Sequence, residues 1–340
     1  MILATRYTQR PVAFSAFQVV NEDGRVHGRI VTTDLDSLSA GDVVIRAAYS
    51  SVNYKDALAV TGAGKIMRRM PLIAGIDVTG TVESSTDARF APGDRVLVTG
   101  YDLGVAHDGG FAERCRVPGD WVVPVPEGLS LLDAMAYGTA GFTAALAVLR
   151  LERNGLAPAQ GPVAVTGATG GVGSVAIAIL ARLGYQVVAI TGKDDQHDYL
   201  RGLGAAEVRS RHTIDLGTKP LEKATWAGAV DAVGGDLLAW LLRTANVSGG
   251  VASTGLTGGI DLKLTVMPFI LRGVSLLGVD SVACPMDLRR EVWRRLAADM
   301  QPADLSAMTT VIPLDGIAAA CETLMRGGAR GRFVVRLGSA

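Results

Sequence analysis

From Val43 to Val125 apolar and polar positions alternate in short runs broken by Gly and Pro: DVVIRAAYSSVN, DVTGTVES, GDRVLVTG, FAERCRV and WVVPVP. Regular short strands separated by turn residues predict a compact, barrel-like β domain. After Leu129 the period changes. Leu131 to Leu149 predicts a helix, and short uninterrupted apolar runs then alternate with helical stretches: PVAVTG, QVVAITG, EVRS, GAVDAV, GGVASTG and VSLLGV. Strands apolar on both faces are what a parallel sheet covered by helices requires, and six of them suffice for a doubly wound α/β sheet. Further on, Asp287 to Met300 predicts a helix, and Thr309 to Ile312 and Gly331 to Leu337 predict strands around a helix at Leu314 to Met325. This tail carries no further phosphate loop, so it is expected to return to the first domain. The division is then 1–129 with 307–340 for the β-rich catalytic domain and 130–306 for the α/β domain.

A chain of 340 residues accommodates two domains of about 150 residues each. Hydrophobic residues at 49% and charged residues at 19% supply a large core and exclude long disordered tracts. Lys plus Arg (33) equals Asp plus Glu (33), which excludes the basic footprint of a nucleic-acid binder. Arg outnumbers Lys 27 to 6, a bias that suits phosphate recognition and that genome composition also produces. Cys115, Cys284 and Cys321 are scattered, so neither a disulfide framework nor a structural zinc site is encoded, and a reducing, cytoplasmic setting is expected. No run reaches the 18 or so apolar residues of a membrane span, and no membrane partner is expected. Met1 to Pro11 carries Arg6 and Arg10 without an acid, as a plain N-terminal extension or a weak organellar signal would.

PVAVTGATGGVGSVAIAIL sets an apolar strand, a turn with Gly167, Gly170, Gly171 and Gly173, and an apolar helix in sequence. In that order backbone can crowd a pyrophosphate while a helix N-terminus faces its charge. The spacing is G-x-x-G-G-x-G, and no G-K-[ST] closes the loop, which excludes a kinase-type P-loop. The next strand ends at Thr191-Gly192-Lys193, where an NAD site usually places an acid for the ribose diol. A hydroxyl, an amide and a cation suit a 2′-phosphate instead, which predicts NADPH. Arg211 follows the third strand as a second cation or as a solvated loop residue, and Asp194 and Asp195 are read as caps of the next helix.

The order of small β domain, dinucleotide domain and returning tail resembles the medium-chain dehydrogenase/reductase superfamily. Its zinc alcohol dehydrogenases carry a Cys after the first long strand and a Gly-His-Glu motif further on. Those places here read SSVNYKDAL (50–58) and AGIDVTG (74–80), so Tyr54 and its neighbours replace the Cys and Ile76-Asp77 replaces His-Glu. The cysteine-rich lobe is missing and His107 stands alone in its place, so no metal is expected. SSVNYKDAL, TGAGKI, AGIDVTGTV, VTGATGGVGS, LEKATWAGAVDAVG, GLTGG and VMPFILRGVSLLGVDS resemble the bacterial NADPH-dependent acryloyl-CoA reductases, also called YhdH-type quinone oxidoreductases. The resemblance implies a GroES-like β-barrel with a Rossmann domain. It implies cofactor contacts at Tyr54, Gly170, Gly171, Val172, Thr191, Gly192, Lys193, Arg211, Leu256, Ile270 and Ser281.

The reaction it implies passes a hydride from NADPH to the β-carbon of a short 2-enoyl-CoA, followed by protonation at the α-carbon. Charge develops on the thioester oxygen and needs hydrogen-bond donors. Tyr54 is the first candidate, as donor or as packing for the nicotinamide, and Asn53 is placed to orient an amide or carbonyl. Lys55 and Asp56 are read as the start of a solvated helix. Lys65, Arg68 and Arg69 form a cation cluster for coenzyme A phosphates, or a solvated turn, and Arg332 is a second anchor. Quinone or enone reduction remains a rival activity, and a non-catalytic cofactor-binding protein a remoter one. The apolar strand Val274 to Val279, last in the sheet, predicts a homodimer.

Overall fold

A computed structural model describes residues 13–338, so the 1–11 segment with its two arginines lies outside the described residues. The chain opens with a hairpin that the sequence reading left unassigned. Strands β1 (Phe14–Glu22) and β2 (Arg25–Thr33) pair antiparallel across Asp23-Gly24, both at positive φ (52° and 82°), the geometry of a type I′ turn. Next come β3 (Val43–Val52), a short helix α1 (Tyr54–Thr61), β4 (Leu72–Ile73), β5 (Asp77–Ser85), β6 (Arg95–Thr99), β7 (Arg114–Val117) and β8 (Val123–Pro124). β4 extends the hairpin into a three-stranded sheet, and β3, β5, β6 and β8 pair in that order, with β7 also on β3. Their inward residues, among them Phe17, Ile45, Val78, Val98 and Phe111, form one apolar core.

Helix α2 (Leu131–Arg153) follows. It is long and apolar enough to cross a membrane, yet most of it is buried against the strands and helices of both halves, which makes it a core spine. It kinks at Gly138, whose φ of 50° and ψ of −155° are not helical. Beyond it come β9 (Val163–Thr166), α3 (Gly171–Arg182), β10 (Val187–Thr191), α4 (His197–Gly202), β11 (Glu207–Ser210), β12 (Trp226–Asp231), α5 (Gly235–Arg243), β13 (Ala245–Ser253), α6 (Met267–Arg272) and β14 (Ser275–Gly278). All six strands are parallel, in the order β11-β10-β9-β12-β13-β14. The order reverses at β9, and ligands of such sheets bind in the crevice at that strand's C-terminal end.

Helix α7 (Met286–Leu296) packs back on α2. The tail then supplies β15 (Thr309–Ile312), a 3-10 turn (Leu314–Gly316), α8 (Ile317–Met325) and β16 (Arg332–Arg336). β16 lies antiparallel to β3, with Val334 opposite Ser51, and parallel to β15. The tail therefore finishes the sheet that residue 43 began.

Candidate active site

β9 leads into the glycine loop. Gly167 turns the chain at φ 59°, and a Cβ on Gly173 would lie 2.4 Å from the Gly167 carbonyl oxygen, so only glycine lets α3 pack so close to the turn. Gly170 caps α3 with backbone alone, and the first amides of the helix, from Gly171 and Val172, are left for an anion. A buried carboxylate steadies the crevice from the other side. Asp231 accepts from Thr166 Oγ1 (2.5 Å), Val233 N (3.3 Å) and Gly234 N (2.8 Å), and burial pushes its pKa up despite these donors.

The adenosine end is built at the close of β10. Thr191 is buried and its hydroxyl accepts from Lys193 N at 3.0 Å. Arg211 N donates to Thr191 O (2.7 Å), and the Arg211 side chain lies so close to Gly192 that a Cβ there would be 2.4 Å from Nε. Lys193 is half-buried, and its ammonium donates to the carbonyl of Ala329 in the tail. Burial pushes Lys193 down, partly offset by the charge of Asp195. The residues fit a nucleotide bearing a 2′-phosphate: backbone cradle, hydroxyl, amide and two cations, with the acids that follow, Asp194 and Asp195, exposed on a 3-10 turn.

Where zinc dehydrogenases hold metal, this chain has a closed polar network. Asp77 on β5 accepts from Thr139 Oγ1 (2.5 Å), Thr139 N (2.8 Å), Ser51 Oγ (2.6 Å) and Asn53 Nδ2 (2.8 Å). The fully buried Arg332 guanidinium stands 4.0 Å from the same carboxylate and donates to Ser51 Oγ (2.8 Å), Ala136 O (3.2 Å) and Val52 O (3.3 Å). The kink at Gly138 makes this possible by turning Thr139 N–H towards Asp77. Zinc does not fit these residues. Asp77 already accepts four hydrogen bonds, three of them on Oδ2, a guanidinium faces it, and among the described residues no three His, Cys, Asp or Glu side chains meet at ligand spacing.

Asp56 belongs to this network, contrary to the expectation of a solvated helix start. It is 2% exposed and accepts from Asn53 N (2.8 Å) and Ile76 N (3.0 Å). Burial, reinforced by the charge of Asp77, pushes its pKa up to about 7. The Asn53 amide donates to both Asp56 and Asp77, leaving Asn53 Oδ1 as a buried acceptor without a partner. Of the two roles the sequence suggested for Asn53, orienting an amide or a carbonyl, a free acceptor oxygen suits the amide. Tyr54, the first residue of α1, is 39% exposed with its side chain open to ligand.

The other sequence candidates separate. Leu256 lines a cavity of about 300 Å³ with Gly234, Gly235, Ile260, Leu262 and Val279. Ser281 lies against Gly100, and its carbonyl accepts from Arg289 (3.1 Å). Ile270 stands on α6, 71% exposed. Arg332 is no surface anchor, because it is 3% exposed and its donors are spent inside. Arg69 is also committed, to Asp108 (3.1 Å), Ser39 (2.7 Å) and Ala106 O (3.1 Å). Arg68 pairs with Asp102 at 3.2 Å, and Lys65 is exposed. Sequence reasoning missed Ser51, Thr139 and Arg289. The last is buried, with no carboxylate partner among the described residues, between the rings of Tyr101 (4.6 Å) and Phe142 (4.9 Å) and donates to Thr99 O (2.8 Å).

Residues 39–127 match the alcohol dehydrogenase GroES-like domain family, and residues 171–298 match the zinc-binding dehydrogenase family. Over 326 residues the chain is 51% identical to the putative quinone oxidoreductase YhfP of Bacillus subtilis, covering 95% of this chain and 99% of that one. The chain is a medium-chain dehydrogenase/reductase. This medium-chain dehydrogenase/reductase is also 48% identical to the acrylyl-CoA reductase AcuI of Ruegeria pomeroyi, over 92% of this chain and 96% of the relative. Its fold matches the crystal structure of the Salmonella enterica yhdH oxidoreductase in complex with NADP, with a TM-score of 0.93 and 47% identity over 95% of this chain and 100% of the other. Bacillus subtilis yhfP with NAD bound matches equally well, with a TM-score of 0.93 and 50% identity over 96% and 100%. The medium-chain dehydrogenase/reductase frame therefore carries an intact nucleotide crevice and a metal position rebuilt from Asp77, Ser51, Asn53, Thr139 and Arg332.

Proposed function

We propose that the protein reduces the C=C bond of a short 2-enoyl-CoA with NADPH, converting acryloyl-CoA to propionyl-CoA. The observation that carries this reading is Tyr54, an exposed phenol next in the chain to Asn53 of a buried network unsuited to zinc. NADPH supplies the hydride. As it adds at the β-carbon, the π electrons move to the thioester oxygen, and a proton later joins the α-carbon. The Tyr54 hydroxyl donates to the developing enolate oxygen, while Asn53, with its amide protons held by Asp56 and Asp77, offers only Oδ1 and so accepts a hydrogen bond from the cofactor. The phosphates of the cofactor rest on Gly170, Gly171 and Val172, and the 2′-phosphate lies between Lys193, Thr191, Gly192 and Arg211. Leu256, Ile270 and Ser281 line the nicotinamide end. Lys65 is the cation left for coenzyme A, with Arg68 joining it if its exposed pair with Asp102 opens.

Tyr54→Phe keeps the ring and deletes the donor. Single-turnover NADPH oxidation with acryloyl-CoA should slow by about a hundredfold, the lower end for a lost oxyanion donor, with cofactor affinity nearly unchanged. An unchanged hydride-transfer rate assigns Tyr54 to packing. The second reading, quinone or enone reduction, is favoured by the loss of Arg69 and Arg332 as phosphate anchors, and faster turnover of a small quinone than of acryloyl-CoA would select it.

We assign residues 1–129 with 307–340 to the catalytic domain and 130–306 to the nucleotide domain, a division supported by the pairing of β16 with β3. A homodimer is supported by the free edge of β14 and by the exposed apolar side chains Val266, Ile270, Leu271 and Leu276. Ile270→Glu should yield monomers in sedimentation, and a monomeric wild type would defeat the assignment. A cytoplasmic setting is supported by three free, buried cysteines.

A further inference from the structure

The loop 327–331 leads into β16, yet it touches the nucleotide domain at three points. Gly331 N donates to Thr169 O at 2.9 Å, in the glycine loop itself. Ala329 O accepts from the Lys193 ammonium. Between them, the Arg330 guanidinium lies over the Tyr199 ring, 4.9 Å from its centroid, with Nη1 at 3.4 Å from Gln196 Oε1. Tyr199 is itself fixed, because its hydroxyl donates to Ser174 Oγ at 2.9 Å. The aromatic face thus holds the guanidinium plane and leaves its edge free to donate.

Gln196 follows Lys193 by one turn of chain, so Arg330 arrives at the end of β10 where Thr191, Gly192, Lys193 and Arg211 already stand. Lys193, Arg211 and Arg330 form no ion pair among the described residues, although the surface around them holds many such pairs. Like charges gathered with no carboxylate within ion-pair distance repel each other until an anion joins them.

We propose that Arg330 is a third cation for the 2′-phosphate of NADPH, delivered by the tail of the catalytic domain, so that both domains read this phosphate. The proposal rests on the NADPH reading and adds a specificity residue to it. Nothing in the motif around Thr191 announces this residue, which lies 139 positions further along the chain.

Calorimetric titration with adenosine 2′,5′-bisphosphate and with 5′-AMP tests it without turnover. Arg330→Gln should weaken the bisphosphate about tenfold and leave 5′-AMP within about twofold, as loss of one charge-assisted contact implies. Arg330→Lys should recover part of the affinity, and the salt dependence of bisphosphate binding should fall in the Gln variant. Unchanged bisphosphate affinity in Arg330→Gln overturns the proposal, and so does equal weakening of both ligands, which would mark the loop as structural. Wild type binding both ligands equally would sink the NADPH reading first and the proposal with it.

Discussion

Gly138→Ala tests whether the rebuilt metal position is as tight as its distances say. The native backbone there, φ 50° and ψ −155°, is a region that residues with a Cβ enter at a cost of about 1–3 kcal/mol. A Cβ would also lie 2.3 Å from Ser51 Oγ, 2.5 Å from Asp77 Oδ2 and 2.8 Å from Arg332 Nη2, all in buried side chains with no free space to retreat. Moving any of them opens a buried charged network, which costs about 3–5 kcal/mol when one partner is lost. The variant should therefore lose at least about 4 kcal/mol, a large share of the 5–15 kcal/mol typical of a folded domain. Urea unfolding followed by tryptophan fluorescence measures this, since Trp293 packs on Phe142 and Tyr137 of α2. Adding Ser51→Ala removes the nearest contact, so the double variant should be less destabilised than the sum of the single changes. A Gly138→Ala protein within about 1 kcal/mol of wild type would refute the packing argument.

Lys193→Ala should weaken NADPH about ten- to a hundredfold and NADH far less, because only NADPH presents a phosphate to the lost ammonium; equal losses measured by fluorescence titration would remove the assignment. Asp56 sets a pH dependence of stability. Its folded value of about 7 lies above the ordinary 3.8, so its contribution is full below about pH 4 and is lost as pH rises to about 7, amounting to about 4 kcal/mol. Asp56→Asn should flatten that slope in urea unfolding, and parallel wild-type and variant curves would contradict it.

The nucleotide domain was legible because its signal is local. Most of its strands are short apolar runs, the edge strand β11 (Glu-Val-Arg-Ser) being the exception, and the glycine loop sits between one such run and a helix. The β1–β2 hairpin gives a weak signal because no residue of β2 is fully buried, so its residues alternate without a strong apolar face, although Asp23-Gly24 is itself a hairpin signal. The misread residues are those whose environment is set from far away. An acid at the third position of a short helix reads as solvated, and only the turn at Ile76 shows Asp56 to be buried. Arg332 in a glycine-rich stretch reads as a surface anchor until β16 is laid against β3. Gly138 and Thr139 look like two more small residues in an apolar helix, and their value lies in a kink that sequence period does not report.

The return of the chain to its first sheet has a consequence for synthesis. Ser51 and Arg332, which share a hydrogen bond, are 281 residues apart, and β3 has no β16 beside it until that whole span has been synthesised. The six parallel strands and their helices emerge complete well before then, so the nucleotide domain is able to fold while the β domain waits with one strand edge bare and Asp77 without its guanidinium. Loop closure over so long a span is compensated only when the intervening domain has already drawn its ends together. The second domain in sequence thus acts as the template on which the first is closed, and a chain that stopped short of β16 would leave a nucleotide-binding body attached to an unfinished barrel.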